Sequence, residues 1–301
     1  MADQAREEVG KRVAWISLWG NIILTISKVV IGWQAHSESV FADGIHSAAD
    51  VFASLIVLLV INVSNKPADK EHPYGHGKAE VIISGIIGGL LFLVSIYIAY
   101  EGILSFFEPV QSPMFIALWV ALFSYIAKVI LFRYSLKVAN QYNSKAIEAI
   151  AFDHKADIVA SLAAAFGVGL SIFGDYMGWF IFRYSDAVAS IFVAYLIFKI
   201  AKELSSESFH ILMERNVDSE LLQEYESIIS QFSDVKRIDR LRGREHGHYI
   251  ILDVRVSIDY FKTIKEGHDI GRKLKEAIMA KFDNVQEVLI HLNPYYKDEE
   301  K

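Results

Sequence analysis

Two short clusters of metal-ligand side chains lie inside hydrophobic stretches of this chain: His46-Ser47-Ala48-Ala49-Asp50 in one, and Asp153-His154-Lys155-Ala156-Asp157 at the start of another. Residues four apart share one face of a helix, so His46 with Asp50 and Asp153 with Asp157 can converge as four ligands between two helices. Ionisable groups at membrane depth are expensive, and where they occur they usually mark an ion pathway. The spacing therefore predicts passage of a divalent metal ion. A blander reading is that these polar groups merely pair with one another along a helix interface.

The elements that must position them follow from composition. With 53% hydrophobic residues and a mean hydropathy of +0.29, the 301 residues are too apolar for an ordinary soluble protein that also carries 22% charged residues. Charge and apolarity are segregated instead. Apolar stretches fill the chain to about Leu204, and the remainder is dense in Lys, Arg, Asp and Glu. This predicts a six-helix transmembrane transport domain over residues 1–206 and a cytoplasmic domain over 207–301, the latter of ordinary single-domain size. At about 20 mostly apolar residues each, the spans fall at Val13 to Trp33, Ser39 to Val63, Val81 to Leu104, Met114 to Leu136, Ile147 to Phe173 and Trp179 to Leu204.

Orientation follows from basic residues in short loops. Lys11 and Arg12 precede the first span, Lys66, Lys70 and Lys78 occupy the second loop, and Arg133, Lys137 and Lys145 surround the fourth, whereas 34–38 and 102–113 hold no Lys or Arg. Both termini are expected in the cytoplasm, with the protein multi-pass in the cell membrane. The polar stretch Met1 to Arg12 has no signal-peptide core, so the first span is expected to be retained. The absence of cysteine excludes disulfides, thiolate metal sites and cysteine nucleophiles. The net charge of -6 speaks to solubility and gives no reason to expect a nucleic-acid partner.

The tail reads as an α+β unit of order αββαβ. Asp218 stands where it can cap a helix whose Leu221, Leu222, Tyr225, Ile228, Ile229 and Phe232 recur with helical period. Val235 to Arg242 reads as a strand, Gly243 to Gly247 as a turn. Ile250, Leu252, Val254, Val256 and Ile258 then alternate in a strand with one buried face. Thr263 with Glu266 forms a capping box for a second helix bearing Ile270, Leu274, Ile278 and Phe282. A last strand, Val285 to Leu292, is expected to end before Pro294.

These residues carry a family resemblance over nearly the whole chain. Phe41-Ala42-Asp43-Gly44-Ile45-His46-Ser47-Ala48-Ala49-Asp50, the loop from Lys66-Pro67 to Ala79-Glu80, and Asp153 to Asp157 occur in an order similar to that of the cation diffusion facilitators. That family comprises dimeric, proton-coupled divalent-metal exporters with six helices and a metallochaperone-like, ferredoxin-like cytoplasmic domain. The resemblance implies a homodimer in the lipid bilayer, with a divalent metal ion as substrate, protons as the counter-ion and no prosthetic group. It maps the transport ligands onto His46, Asp50, Asp153 and Asp157, a number that fits a tetrahedral site. Asp43, one turn before His46, is either a helix cap or an access group for the metal, and His154 is rotated off the face shared by Asp153 and Asp157.

Zinc-type members carry two histidines with two aspartates, or three aspartates with the histidine on the fifth helix. Here the single histidine is on the second helix. Carboxylate oxygen suits Mn²⁺ relatively better and imidazole suits Zn²⁺, so three carboxylates favour manganese, with Zn²⁺, Fe²⁺ or Co²⁺ as competitors. Because ligands must shed protons to bind metal, the expectation is metal/proton antiport by alternating access, with His46 as proton carrier. A nontransporting membrane metal sensor is the rival from another class. A membrane metalloenzyme is disfavoured, since the chain has no His-Glu-x-x-His helix and no nucleophile in a recognisable motif.

By the same resemblance Asp69, His72 and His76 form a loop metal site, although His72 and His76 also flank turn residues and can simply shape the loop. Lys78 is expected to pair with Glu214 as a structural interlock. The tail positions that hold histidines in zinc-type relatives are here Asp239, Asp253, His268, His291 and Asn293, so tail metal binding is expected to be weak or altered. Trp15, Trp19, Trp33, Trp119 and Trp179 suit interfacial anchoring. Gly85, Gly88 and Gly89 suit close helix packing, with a dimer seam as a further use, and Lys28 is expected to snorkel toward the cytoplasm.

Overall fold

The computed structural model describes residues 2–64, 66–107, 112–142 and 145–296. The chain divides into two bodies, Met1–Leu58 with Ile86–Ser205, and Leu59–Gly85 with Ser206–Lys301. Among the described residues six long helices come first: α1 (Ala2–Gln34), α2 (Glu38–Ser64), α3 (Lys78–Leu104), α4 (Phe115–Tyr142), α5 (Lys145–Met177) and α6 (Ser185–Leu212). None of the five prolines falls within these ranges. A proline there would remove a backbone hydrogen bond and break the helix. Among the described residues four segments are long and apolar enough to cross a membrane, at Lys11–Gln34, Lys78–Leu104, Phe115–Gln141 and Ile150–Met177.

The first body is inverted relative to a water-soluble one. On α4, Ala117, Ala121, Ser124 and Lys128 are buried while Trp119, Phe123, Ile126 and Ile130 are exposed. Small and polar residues face the neighbouring helices, and large apolar ones form the outer stripe. Lipid is as apolar as those side chains, so close packing of small residues has to hold such helices together. The interior accordingly runs through Ala42, Ala49, Ala160, Val193, Ala194, Ile197 and Ala201 on one side, and Ala117, Ala121, Ala164, Ala165 and Val168 on another. A Cβ on Gly88 would lie 2.8 Å from the Ser205 amide, whereas one on Gly89 would meet nothing within 4 Å. The sixth span starts later than expected from the sequence. Phe180–Tyr184 forms a separate 3-10 turn, tied back by the Trp179 amide donating to the Gly174 carbonyl, and α6 begins only at Ser185.

The tail follows the expected order: α7 (Ser219–Ile229), β1 (Val235–Glu245), β2 (Ile250–Asp259), α8 (Ile264–Lys281) and β3 (Val285–Tyr295). The sheet order is β1-β2-β3, with β1 antiparallel and β3 parallel to the central β2. A parallel pair needs a crossover, which α8 supplies. Tyr225, Ile228 and Ile229 from α7 and Ile270, Leu274 and Ile278 from α8 meet the inward residues Ile250, Leu252, Val254, Val256 and Ile258 of β2. Thr263 and Glu266 make the capping box reciprocally. Three details differ from the sequence reading. Asp218 precedes α7 without a side-chain capping bond. Strand β1 runs through Gly243 to Glu245, because Val217 donates to the Gly243 carbonyl and Asn216 accepts from its amide. Strand β3 continues past Pro294 to Tyr295; β3 is an edge strand, where proline is tolerated.

Candidate metal site

Three side-chain contacts align α2 with α5. Ser39 reaches the Ala164 carbonyl, Ser161 donates to Asp43 at 2.8 Å, and His46 Nε2 stands 3.8 Å from Asp157 Oδ1. As numbers rise along α2 they fall along α5, so the helices are antiparallel, and continuing that register brings Asp50 level with Asp153. Ligand atoms of His46, Asp50 and Asp157 all lie within 4.8 Å of one another. Asp153 is outside that group and exposed. Asp153 is therefore at the depth of Asp50, but its exposed side chain does not join the other three.

Two of the three grouped residues carry buried atoms without a hydrogen-bond partner. His46 is 3% and Asp157 1% exposed, yet Asp157 Oδ1 and His46 Nδ1 have no hydrogen-bond partner. Buried polar atoms are usually satisfied, and an exception calls for an explanation. A cation held between imidazole and carboxylates is one that fits Asp157 Oδ1. His154 faces elsewhere, its Nε2 bonded to Ser17 Oγ at 2.9 Å.

Sequence reasoning missed Lys128 and misplaced Lys28. Lys128, fully buried on α4, donates to Asp157 Oδ2 and, at 2.8 Å, to Asn21 Oδ1. Lys28 does not snorkel. Its ammonium is buried against Asp43 Oδ2 at 2.8 Å, Ser47 at 2.9 Å and Ser161 at 3.1 Å, which uses all three of its donors. Asp43 lies inside α2 and caps no helix. Gly44 makes the approach of α1 possible: a Cβ there would lie 2.8 Å from the Val29 amide and 3.0 Å from Lys28 Cβ. Both lysines sit within apolar runs; for Lys28 a spare acid on the neighbouring helix, Asp43, was the available signal, whereas Lys128 had only its apolar surroundings.

The second body holds another three-donor group. Asp69, His72 and His76 have ligand atoms within 4.8 Å of one another, with His72 Nδ1 and His76 Nε2 each 3.4 Å from the Asp69 carboxylate. Asp69 also accepts from the His72 and Glu71 amides, which hold its carboxyl below the usual carboxylate range. The loop is seated on the tail. Tyr249 donates to the Tyr74 carbonyl at 2.5 Å, and Glu214 accepts from both Lys78 and, at 3.0 Å, Arg244.

Of the tail candidates, Asp239 is occupied by hydrogen bonds from Ser257, Asn293 and Arg237 at 2.7–2.8 Å. Asp253 and His291 line a hollow of about 380 Å³ with Arg240, Arg242 and Arg255, a basic surrounding that disfavours a cation. Among the described residues neither they nor His268 joins a three-donor group.

Residues 14–213 match the cation efflux transmembrane domain, and residues 217–295 the cytoplasmic domain of cation efflux proteins. The chain is 56% identical to the manganese efflux system protein MneP of Bacillus subtilis strain 168, over 97% of this chain and 99% of that one. It is 31% identical to the magnetosome protein MamB of Paramagnetospirillum magneticum, over 94% of each. It is 30% identical to the manganese efflux system protein MneS of B. subtilis strain 168, over 95% of this chain and 96% of that one.

Proposed function

This chain belongs to the cation efflux, or cation diffusion facilitator, family of transporters, and on that premise we propose that it exports Mn²⁺ by metal/proton antiport with alternating access. The observation that carries the reading is the group His46, Asp50 and Asp157 between α2 and α5, its His46 and Asp157 buried and one Asp157 oxygen left without a hydrogen-bond partner. One imidazole with carboxylate oxygens suits Mn²⁺ relatively better than an imidazole-rich set would. The manganese efflux named for MneP and MneS supports the same choice. Asp153 completes the set when α5 and α2 close at the level of Asp50. Metal binding expels protons from the ligands, and their return from the far side releases the metal. Zn²⁺, Fe²⁺ and Co²⁺ compete for the same donors.

In this reading residues 1–206 form the transport domain in the cell membrane and 207–301 the cytoplasmic dimerisation domain, with both termini in the cytoplasm and two copies acting together. Asp69, His72 and His76 form an accessory metal site on the cytoplasmic loop. The test is flux into sealed proteoliposomes holding the purified protein. Mn²⁺ uptake that accelerates with an imposed pH gradient, and collapses when the gradient is dissipated, is expected. Zn²⁺ uptake without Mn²⁺ uptake would refute the metal, and Mn²⁺ uptake indifferent to the gradient would refute the antiport.

A further inference from the structure

Asp157 lies among Lys128, His46 and Asp50. Its Oδ2 accepts from the Lys128 ammonium, while its Oδ1 faces His46 at 3.8 Å and accepts no hydrogen bond. Among the described residues two lysines of this body are buried, and they differ in kind. Lys28 is matched by Asp43, which lies outside the ligand group, and its three donors are consumed there and by Ser47 and Ser161. Lys128 has no acid of its own. The carboxylate it holds is a ligand of the proposed site, and its other hydrogen-bond partner is the neutral Asn21 amide oxygen.

We propose that Lys128 is a displaceable internal counter-cation, its ammonium holding Asp157 until a divalent ion arrives and then withdrawing onto Asn21. This rests on the metal site proposed above. An ammonium and a dication a few ångströms apart in a poorly screened interior repel strongly, so both cannot take Asp157 at full strength. Lysine suits the exchange because its charge is compact and rides on a flexible four-carbon stem. Asn21 gives the displaced ammonium a partner, without which a buried charge is costly. The result is a site that binds less tightly than its ligands alone would, and a carrier must release what it binds. Lys128 is thus a positioning residue that sets how readily metal leaves.

The experiment is equilibrium Mn²⁺ binding to the purified full-length chain in detergent, with turnover measured in proteoliposomes. Lys128→Met is expected to tighten Mn²⁺ by about tenfold or more, and to lower KM and kcat together because release slows. Asn21→Leu is expected to weaken binding, since the displaced ammonium loses its partner. Asp50→Ala separates this proposal from the site itself. Binding is read in a His76→Ala background, so that the loop group does not contribute; if Asp50→Ala there abolishes the remaining equivalent while Lys128→Met leaves it unchanged or weaker, the counter-cation is overturned and the site stands. If Asp50→Ala binds Mn²⁺ normally, the site is overturned and the counter-cation with it. Should Lys128→Met fail to give a monodisperse protein, Asn21→Leu decides: weakened binding supports the exchange, and unchanged binding overturns it.

Discussion

Lys28 Nζ lies 2.8 Å from Asp43 Oδ2, with both side chains almost wholly removed from solvent. The pair fastens α1 to α2 one turn from His46, and Ser161 extends the contact to α5. The helix carrying two proposed ligands is thereby held to its neighbours by a charged contact rather than by apolar packing alone.

Removing one member of a buried pair leaves the other uncompensated, at about 3–5 kcal/mol. Lys28→Met is therefore expected to destabilise the protein by that order, read as thermal unfolding in detergent. Lys28→Met combined with Asp43→Leu should recover most of the loss. A double variant as unstable as the single one would show that the pair's charge is not what matters.

The loop seat is tested by adding one methyl group. A Cβ on Gly77 would lie 2.0 Å from the His246 carbonyl oxygen, and backbone cannot give way cheaply. Gly77→Ala should cost about 1–3 kcal/mol, seen as faster hydrogen exchange across residues 66–77. Exchange unchanged from the native protein would mean that the loop is not seated there.

Burial raises the Glu214 carboxyl, but hydrogen bonds and charge from Lys78 and Arg244 outweigh it and leave the group below the usual carboxylate range. A lowered folded-state pKa contributes stability that is full above the unfolded value, near ~4.3, and is lost as pH falls through the folded value. Acid should thus release the Lys78–Glu214–Arg244 contact below about pH 4. Glu214→Gln should already lack that contribution at neutral pH and show a flatter acid limb in unfolding experiments. Equal acid limbs for the two proteins would contradict the interlock.

The proposed loop ligands are expected to be separable from the proposed transport ligands. His76→Ala is expected to remove one equivalent of bound metal from the full-length chain while leaving Mn²⁺ flux within about twofold, a small change against the tenfold that 1.36 kcal/mol would bring. Loss of flux with no loss of bound metal would reverse the two roles.

Much of this was legible in the chain because one-sided burial writes a period into sequence. Ile250, Leu252, Val254, Val256 and Ile258 announce β2, and Thr263 with Glu266 announces the start of α8. That His46 and Asp50 share one face was legible as a helical stripe. Which members of a stripe meet across helices was not: Asp153 has the same spacing from Asp157 as His46 has from Asp50, but it is exposed and outside the three-donor group. Partners across helices were also hidden. Lys28 read as a snorkelling side chain because nothing local shows that Ser47, Ser161 and Asp43 will surround it. Gly243 read as a turn residue, but its missing side chain serves the close passage of Val217, whose Cγ2 would lie 2.8 Å from a Cβ there.

The most direct measurement is the initial rate of Mn²⁺ uptake into proteoliposomes by the native chain and by Asp50→Ala, with equal protein incorporated. Loss of an outer partner of a metal ligand typically costs 10–100-fold, so loss of the ligand itself should lower the rate by about 100-fold or more. A rate for Asp50→Ala within a few-fold of native would contradict the claim that metal crosses through His46, Asp50 and Asp157.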